Sequence, residues 1–231
     1  MNASRHALLL IQLAGTLTLL ASDAPNILKA AIFPCWWLLT FGLDISKAEL
    51  LFYGAICSVF TVMDILTVQQ GIFTFNQPDV AGLPLYEPLM WGFYVLHTLR
   101  MVNASTPVFS WAALLLLIPF AAAFPSVSDP GMLLTVSGGI LATGLLMFRE
   151  REDLSCVLYM MLLGAAVEFT GVRSGQWQYP NAGSAGVPLW FLTLWGGVGF
   201  FARRLGLPAL VRIQVLLNRR PDGQLQLEAR L

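Results

Sequence analysis

Residues 64–91 and 168–195 read as two copies of one pattern, displaced by a constant 104 positions with no insertion or deletion. Asp64 aligns with Glu168, Val68 with Val172, Gly71 with Gly175, Gly82 with Gly186 and Pro84 with Pro188. Further on, Leu85 aligns with Leu189, Trp91 with Trp195, Gly92 with Gly196 and Arg100 with Arg204. Trp, Pro and Gly are too rare for so many coincidences. The pattern predicts an internal duplication, so the fold must accommodate one unit twice.

Of 231 residues, 57% are hydrophobic and 11% charged, whereas a soluble domain carries about 25% charged residues. Such a chain belongs in a membrane. The formal net charge of +0 gives no pull toward nucleic acid. Apolar runs suited to about 30 Å of hydrocarbon, some only with local thinning, lie at 6–22, 26–43, 48–66, 85–102, 107–125, 131–148, 153–170 and 187–203. The first run follows Arg5 as a secretory signal would, but the duplication requires a helix there, so it reads as a retained span. The expected fold is an all-α integral membrane protein, with eight transmembrane helices as a tandem 4+4 repeat. Its domains are a first four-helix repeat over 1–104, a second over 105–208, and an amphipathic segment with a polar tail over 209–231. An even number of spans per repeat gives parallel pseudo-two-fold symmetry about the membrane normal.

Basic residues orient the chain, because Lys and Arg collect on the cytoplasmic side. Eleven of the 13 fall at the N-terminus, in the even-numbered loops and at the C-terminus, leaving Lys29 and Arg173 opposite. Both termini are therefore expected in the cytoplasm of a multi-pass cell membrane protein, with both motif copies at the outer face. The connections 67–84 and 171–188 are rich in Gly, Pro and rings, and are expected to fold back as caps over the bundle. Leu207 to Leu217 reads as a short amphipathic surface helix, and the chain from Arg219 as a polar tail.

Glu49, Glu150, Glu152, Asp153 and Asp222 sit in loops or at helix ends and read as solvated charges. Asp64, Glu87 and Glu168 lie inside the ends of apolar spans, where a carboxylate costs about 2.5 to 3.5 kcal/mol at full depth and needs a partner, water or a proton. Asp64 and Glu168 are equivalent by the displacement, while Glu87 faces Phe191, so the halves diverge there. Phe73, Phe75, Tyr86, Trp177, Tyr179 and Trp190 cluster around these acids in sequence, with Asn76 as a neutral polar group. Acids beside ring faces suit the protonation of an apolar polyene, since rings stabilise a cation by about 2 kcal/mol or more when desolvated. Arg173 follows Glu168 by five residues and is expected to pair with a carboxylate. His97 reads as a bundle-packing histidine, Arg100 and Arg204 as cytoplasmic anchors, and Cys35, Cys57 and Cys156 as small buried apolar residues. No phosphate loop, dinucleotide motif or Cys/His cluster is present, and no cofactor or metal is expected.

The run Asp64, Gly71-Ile-Phe73-Thr-Phe75-Asn76 and Gly82-x-Pro84-Leu-x-Glu87 resembles the repeated motif of the small membrane lycopene cyclases. The second copy, with Glu168, Gly171-Val-Arg-Ser-Gly175, Tyr179, Gly186-Val-Pro188 and Trp195, is similar to the membrane carotenoid hydratases. Tyr86 replaces the first acid of the cyclases' Pro-x-Glu-Glu, and Trp190 and Phe191 replace both acids in the second copy. The resemblance implies an enzyme that protonates a carotenoid or other isoprenoid. Cyclisation or hydration follows, with an apolar isoprenoid or lipid as substrate. Asp64, Glu87 and Glu168 would be catalytic, and Phe73, Phe75, Asn76, Tyr86, Arg173, Trp177, Tyr179 and Trp190 would bind substrate. The rival expectation is a membrane transporter or a lipid-binding helper subunit.

Overall fold

A computed structural model describes residues 3–41, 45–180, 182 and 186–218. The chain runs α1 (Ala3–Ala21), α2 (Asn26–Thr40), α3 (Lys47–Gln69), β1 (Thr74–Phe75), α4 (Glu87–Val102), α5 (Trp111–Ala123), α6 (Pro130–Phe148), α7 (Arg151–Arg173), β2 (Trp177–Gln178) and α8 (Trp190–Phe201). A π-helical turn, Ala202–Gly206, continues α8 into α9 (Leu207–Leu217). Among the described residues the fold is all-α apart from one short ribbon. The polar tail from Arg219, with Asp222, lies outside the described residues.

Local chemistry sets the helix ends. Ser46 Oγ accepts from Glu49 N at 3.1 Å while Glu49 Oε2 accepts from Ser46 N at 2.8 Å, a capping box that starts α3. Asp129 accepts from Met132 N at 2.7 Å and Pro130 opens α6. Asn103 and Arg149 adopt the left-handed conformation that stops α4 and α6. The bounds of α7 are those of α3 displaced by 104, and α6 begins 104 residues after α2. Ser110 caps α5 and delays its start to Trp111, so that helix is shorter than the apolar run around it.

Four helices, α1, α3, α6 and α7, are long and apolar enough to cross a membrane. The others, α2, α4, α5, α8 and α9, have 15, 16, 13, 12 and 11 residues. Two of these form the centre: α4 is buried from Met90 to Leu99, and α8 almost throughout. Helix α4 packs on α3 and α7, and α8 on α7 and α6. The outward faces remain apolar, with Leu10, Ile11, Val62, Leu115, Leu146 and Leu162 exposed. That surface suits lipid better than water.

The long connections meet at one end of the bundle. Strands β1 and β2 pair antiparallel, Thr74 with Gln178 and Phe75 with Trp177. Gly71, Gly82, Gly175 and Gly186 all take positive φ, a conformation open to glycine without a Cβ penalty. The two loops clasp each other, with Phe75 and Trp177 buried beneath them.

Several charges differ from the sequence expectation. Asp153, expected to be solvated, is 0% exposed and binds both Arg203 and Arg204. Arg204 is accordingly a buried cluster member with its guanidinium 4.2 Å from the Phe148 ring, and no simple surface anchor. Arg100 pairs with Glu49 at 2.8 Å. Of the cysteines, Cys57 and Cys156 are buried, but Cys35 is exposed on the outward side of α2.

Candidate functional site

Asp64 lies near the end of α3, Glu87 opens α4, and Glu168 occupies the matching position on α7. Asp64 is 4% exposed and Glu168 6%, so both carboxyls have left water and need hydrogen-bond partners. Trp91 Nε1 donates to Asp64 Oδ2 at 3.0 Å, and Trp195 Nε1 donates to Glu168 Oε1 at 3.0 Å. Each tryptophan stands 27 residues after its acid. Glu168 Oε2 accepts twice more, from Trp177 Nε1 at 3.0 Å and from Tyr179 OH at 2.7 Å. Glu87 as a whole is half-buried, and among the described residues no donor reaches its carboxyl.

Rings join the two halves of this constellation. Trp91 stacks on Trp195 with centroids 4.7 Å apart, Phe60 covers Trp91 at 4.2 Å, and Tyr94 leans on Trp195 at 5.0 Å. All three acids border one cavity of about 50 Å³, whose walls include Phe73, Phe75, Trp177 and Trp190. It has room for a few waters. Beside it, a wholly apolar groove of about 320 Å³ runs between α3, α4, α5 and α8. Met63, Phe124 and Leu194 border both spaces.

Comparison with known proteins locates the fold but no family. A scan against protein-family models and a search of curated proteins each return no match. Among solved structures, a cross-linked MvINS trimer is similar, with a TM-score of 0.62 and 16% identity over 73% of this chain and 97% of that one. At that identity the likeness is one of fold alone.

Seven of the eleven candidate residues border the cavity; Tyr179 reaches it only through its hydrogen bond to Glu168, and three others lie apart from it. Asn76 is exposed and donates from Nδ2 to Gly175 O at 2.7 Å, fastening one loop to the other. Tyr86 is buried on another side of the ribbon and donates to Gln176 Oε1 at 3.2 Å. Arg173 reaches no carboxylate within the described residues; its guanidinium lies 5.5 Å from the Phe169 ring. Five residues advance about 140° around a helix, which turns Arg173 away from Glu168. His97 is fully buried, with Nδ1 3.1 Å from Gln12 Oε1 and Nε2 2.7 Å from Tyr159 OH. The amide oxygen can only accept, so Nδ1 carries the proton and Tyr159 donates to Nε2.

Sequence reasoning missed Trp91, Trp195, Tyr94 and Met63 as site residues. The first two were visible as aligned tryptophans at a fixed spacing from each acid, and that spacing was the available signal. Chemically, three donors around Glu168 match an ionised, acceptor-only carboxylate. Glu87 has no such donors among the described residues. Among the described residues no three His, Cys, Asp or Glu side chains are grouped to hold a metal ion.

Proposed function

We propose that this chain is a membrane enzyme that protonates a double bond of a carotenoid-like isoprenoid, without net redox change. The reading rests on the convergence of Asp64, Glu87 and Glu168 on one ring-walled cavity beside an apolar groove. The groove would take the hydrocarbon, and Met63, Phe124 and Leu194 must swing aside to admit its reacting end.

Glu87 gives its proton to one carbon of a double bond; the π pair forms the new C–H bond and leaves a cation on the other carbon. The rings that wall the cavity stabilise that cation by about 2 kcal/mol or more, and anionic Glu168 supplies counter-charge. In cyclisation a second double bond closes on the cation, and an adjacent proton returns to a carboxylate, Glu87 or Asp64. In hydration water adds and surrenders its proton the same way. Either route restores the enzyme's proton count.

The same reading takes α1 to α8 as eight spans, built as two parallel four-helix repeats with both termini in the cytoplasm. The coincident bounds of α3 and α7 and the paired tryptophan–acid bonds support it. The shorter inner helices α4 and α8 are surrounded by protein, where length is less constrained by lipid.

The test is to express Asp64→Asn, Glu87→Gln and Glu168→Gln in a lycopene-producing host and separate the pigments. Glu87→Gln should lower product formation most, by about 10² to 10⁴-fold for a lost general acid. Unchanged products from all three, beside an active wild type, would remove these acids from the mechanism. Product formation by the purified protein would separate an enzyme from a transporter or helper subunit.

A further inference from the structure

Another pocket opens at the ribbon end of the bundle, and its chemistry is opposite to that of the acid cavity. It holds about 90 Å³ and is lined by polar groups that include Ser22, Asn26, Lys29, Tyr86, Ser174 and Gln176. Lys29 is 1% exposed. Its Nζ donates to Leu20 O at 2.9 Å and to Gln176 Oε1 at 2.8 Å, and sits 5.4 Å from the centre of the Tyr86 ring.

An ammonium has three N–H donors, so one remains. Both acceptors are neutral, and among the described residues no carboxylate lies within ion-pair distance of Lys29. A cation taken out of water beside neutral acceptors alone is poorly compensated until an opposite charge joins it. Asp23 also lines the pocket, on its exposed rim, and its charge acts on Lys29 without reaching ion-pair distance, so it opposes an incoming anion. Two further features favour an anion. Helix α2 starts at Asn26 with no side-chain cap, so its positive end borders the pocket. Gln176 Oε1 accepts from both Lys29 and Tyr86, which leaves the amide Nε2 as a donor.

We propose that this pocket binds a phosphate group, with Lys29 as its counter-charge and Gln176 and the first turn of α2 as further donors. The volume suits one phosphate. It could belong to a lipid headgroup or to free inorganic phosphate, and the site goes beyond the isoprenoid reaction and is independent of it.

Thermal unfolding of the purified, detergent-solubilised full chain tests this, read by tryptophan fluorescence while titrating inorganic phosphate or a short-chain phosphatidic acid. Wild type should show a saturable rise in Tm with at least one probe, and the effective probe identifies the source. Gln176→Glu places a carboxylate beside Nζ; it should raise the starting Tm and abolish the response. Lys29→Met should abolish it too, and Asp23→Asn should shift saturation to lower concentration. Because Gln176→Glu keeps shape and supplies the missing charge, it remains informative if Lys29→Met does not fold. No response of wild type to either probe, or an equal response in Gln176→Glu, overturns the proposal.

Discussion

At the scale of single residues, the site rests on indole N–H groups aimed at carboxylates. Asp64 has one such donor, while Glu168 has two and the Tyr179 hydroxyl besides, so the same substitution should act unequally. Trp91→Phe leaves Asp64 with no donor, while Trp195→Phe leaves Glu168 with two. A hydrogen bond to a charged group contributes about 1.5 to 3 kcal/mol, so Trp91→Phe should lower Tm more than Trp195→Phe, as differential scanning calorimetry in detergent can show. Equal shifts would mean that the lost stacking matters more than the lost bond. Helix α7 also makes room for the rings: a Cβ on Gly164 would fall 2.2 Å from Trp195, and one on Gly171 2.1 Å from Trp177. Gly164→Ala should therefore cost about 1 to 3 kcal/mol by overpacking, measured by the same scan. The acids were legible in the sequence because charge inside an apolar run is conspicuous. Of their partners, Trp177 and Tyr179 stood out as rings close behind Glu168, whereas Trp91 and Trp195 showed only a matched spacing, which gives no sign of where an N–H points.

At the scale of elements, helix bounds were readable where polar caps interrupt apolar runs, as at Ser46, Asp129 and Asn103. The end of α8 was not. There the helix widens into a π turn that delivers Arg203 and Arg204 to Asp153 across about fifty residues of sequence, a distance no periodicity spans. Asp153 is buried with both arginines, whereas Glu150 and Glu152 remain largely exposed. Asp153→Asn should therefore cost about 3 to 5 kcal/mol, because it leaves buried guanidinium charge without its main partner; Glu152→Gln should cost about 1 kcal/mol or less. Denaturant titration of both variants checks the ranking. The Arg203 guanidinium beside Glu150 holds that carboxyl below its usual range. Its contribution is present above the unfolded-state value and lost as pH falls through the lower folded value. Acid unfolding of Glu150→Gln should lack that small component.

At the scale of the whole molecule, the repeat predicts a topology that can be measured. In a background with Cys35, Cys57 and Cys156 replaced by Ala, Gln178→Cys should react with a membrane-impermeant thiol reagent in intact cells. Thr106→Cys should react only after lysis; the reverse pattern would invert the assigned orientation. The constant displacement of 104 made the matching bounds of α3 and α7 and the matching starts of α2 and α6 readable before any coordinates, since aligned Trp, Gly and Pro need only the sequence. How the units dock was hidden, because ribbon and ring contacts join residues far apart in the chain. That separation bears on synthesis. Thr74 finds its strand partner at Gln178, and Lys29 finds Gln176, so nothing made in the first half of translation can close its own end. Asp64 can meet Trp91 within the first half, but the cavity it shares with Glu87 lacks Glu168, Trp177 and Trp195 until more than eighty further residues emerge. At about 5 to 20 residues per second, that is an interval of several seconds. The pocket is thus among the last parts to be completed, and a ribosome stalled before α7 would hold a nascent chain with its acids still open to their surroundings.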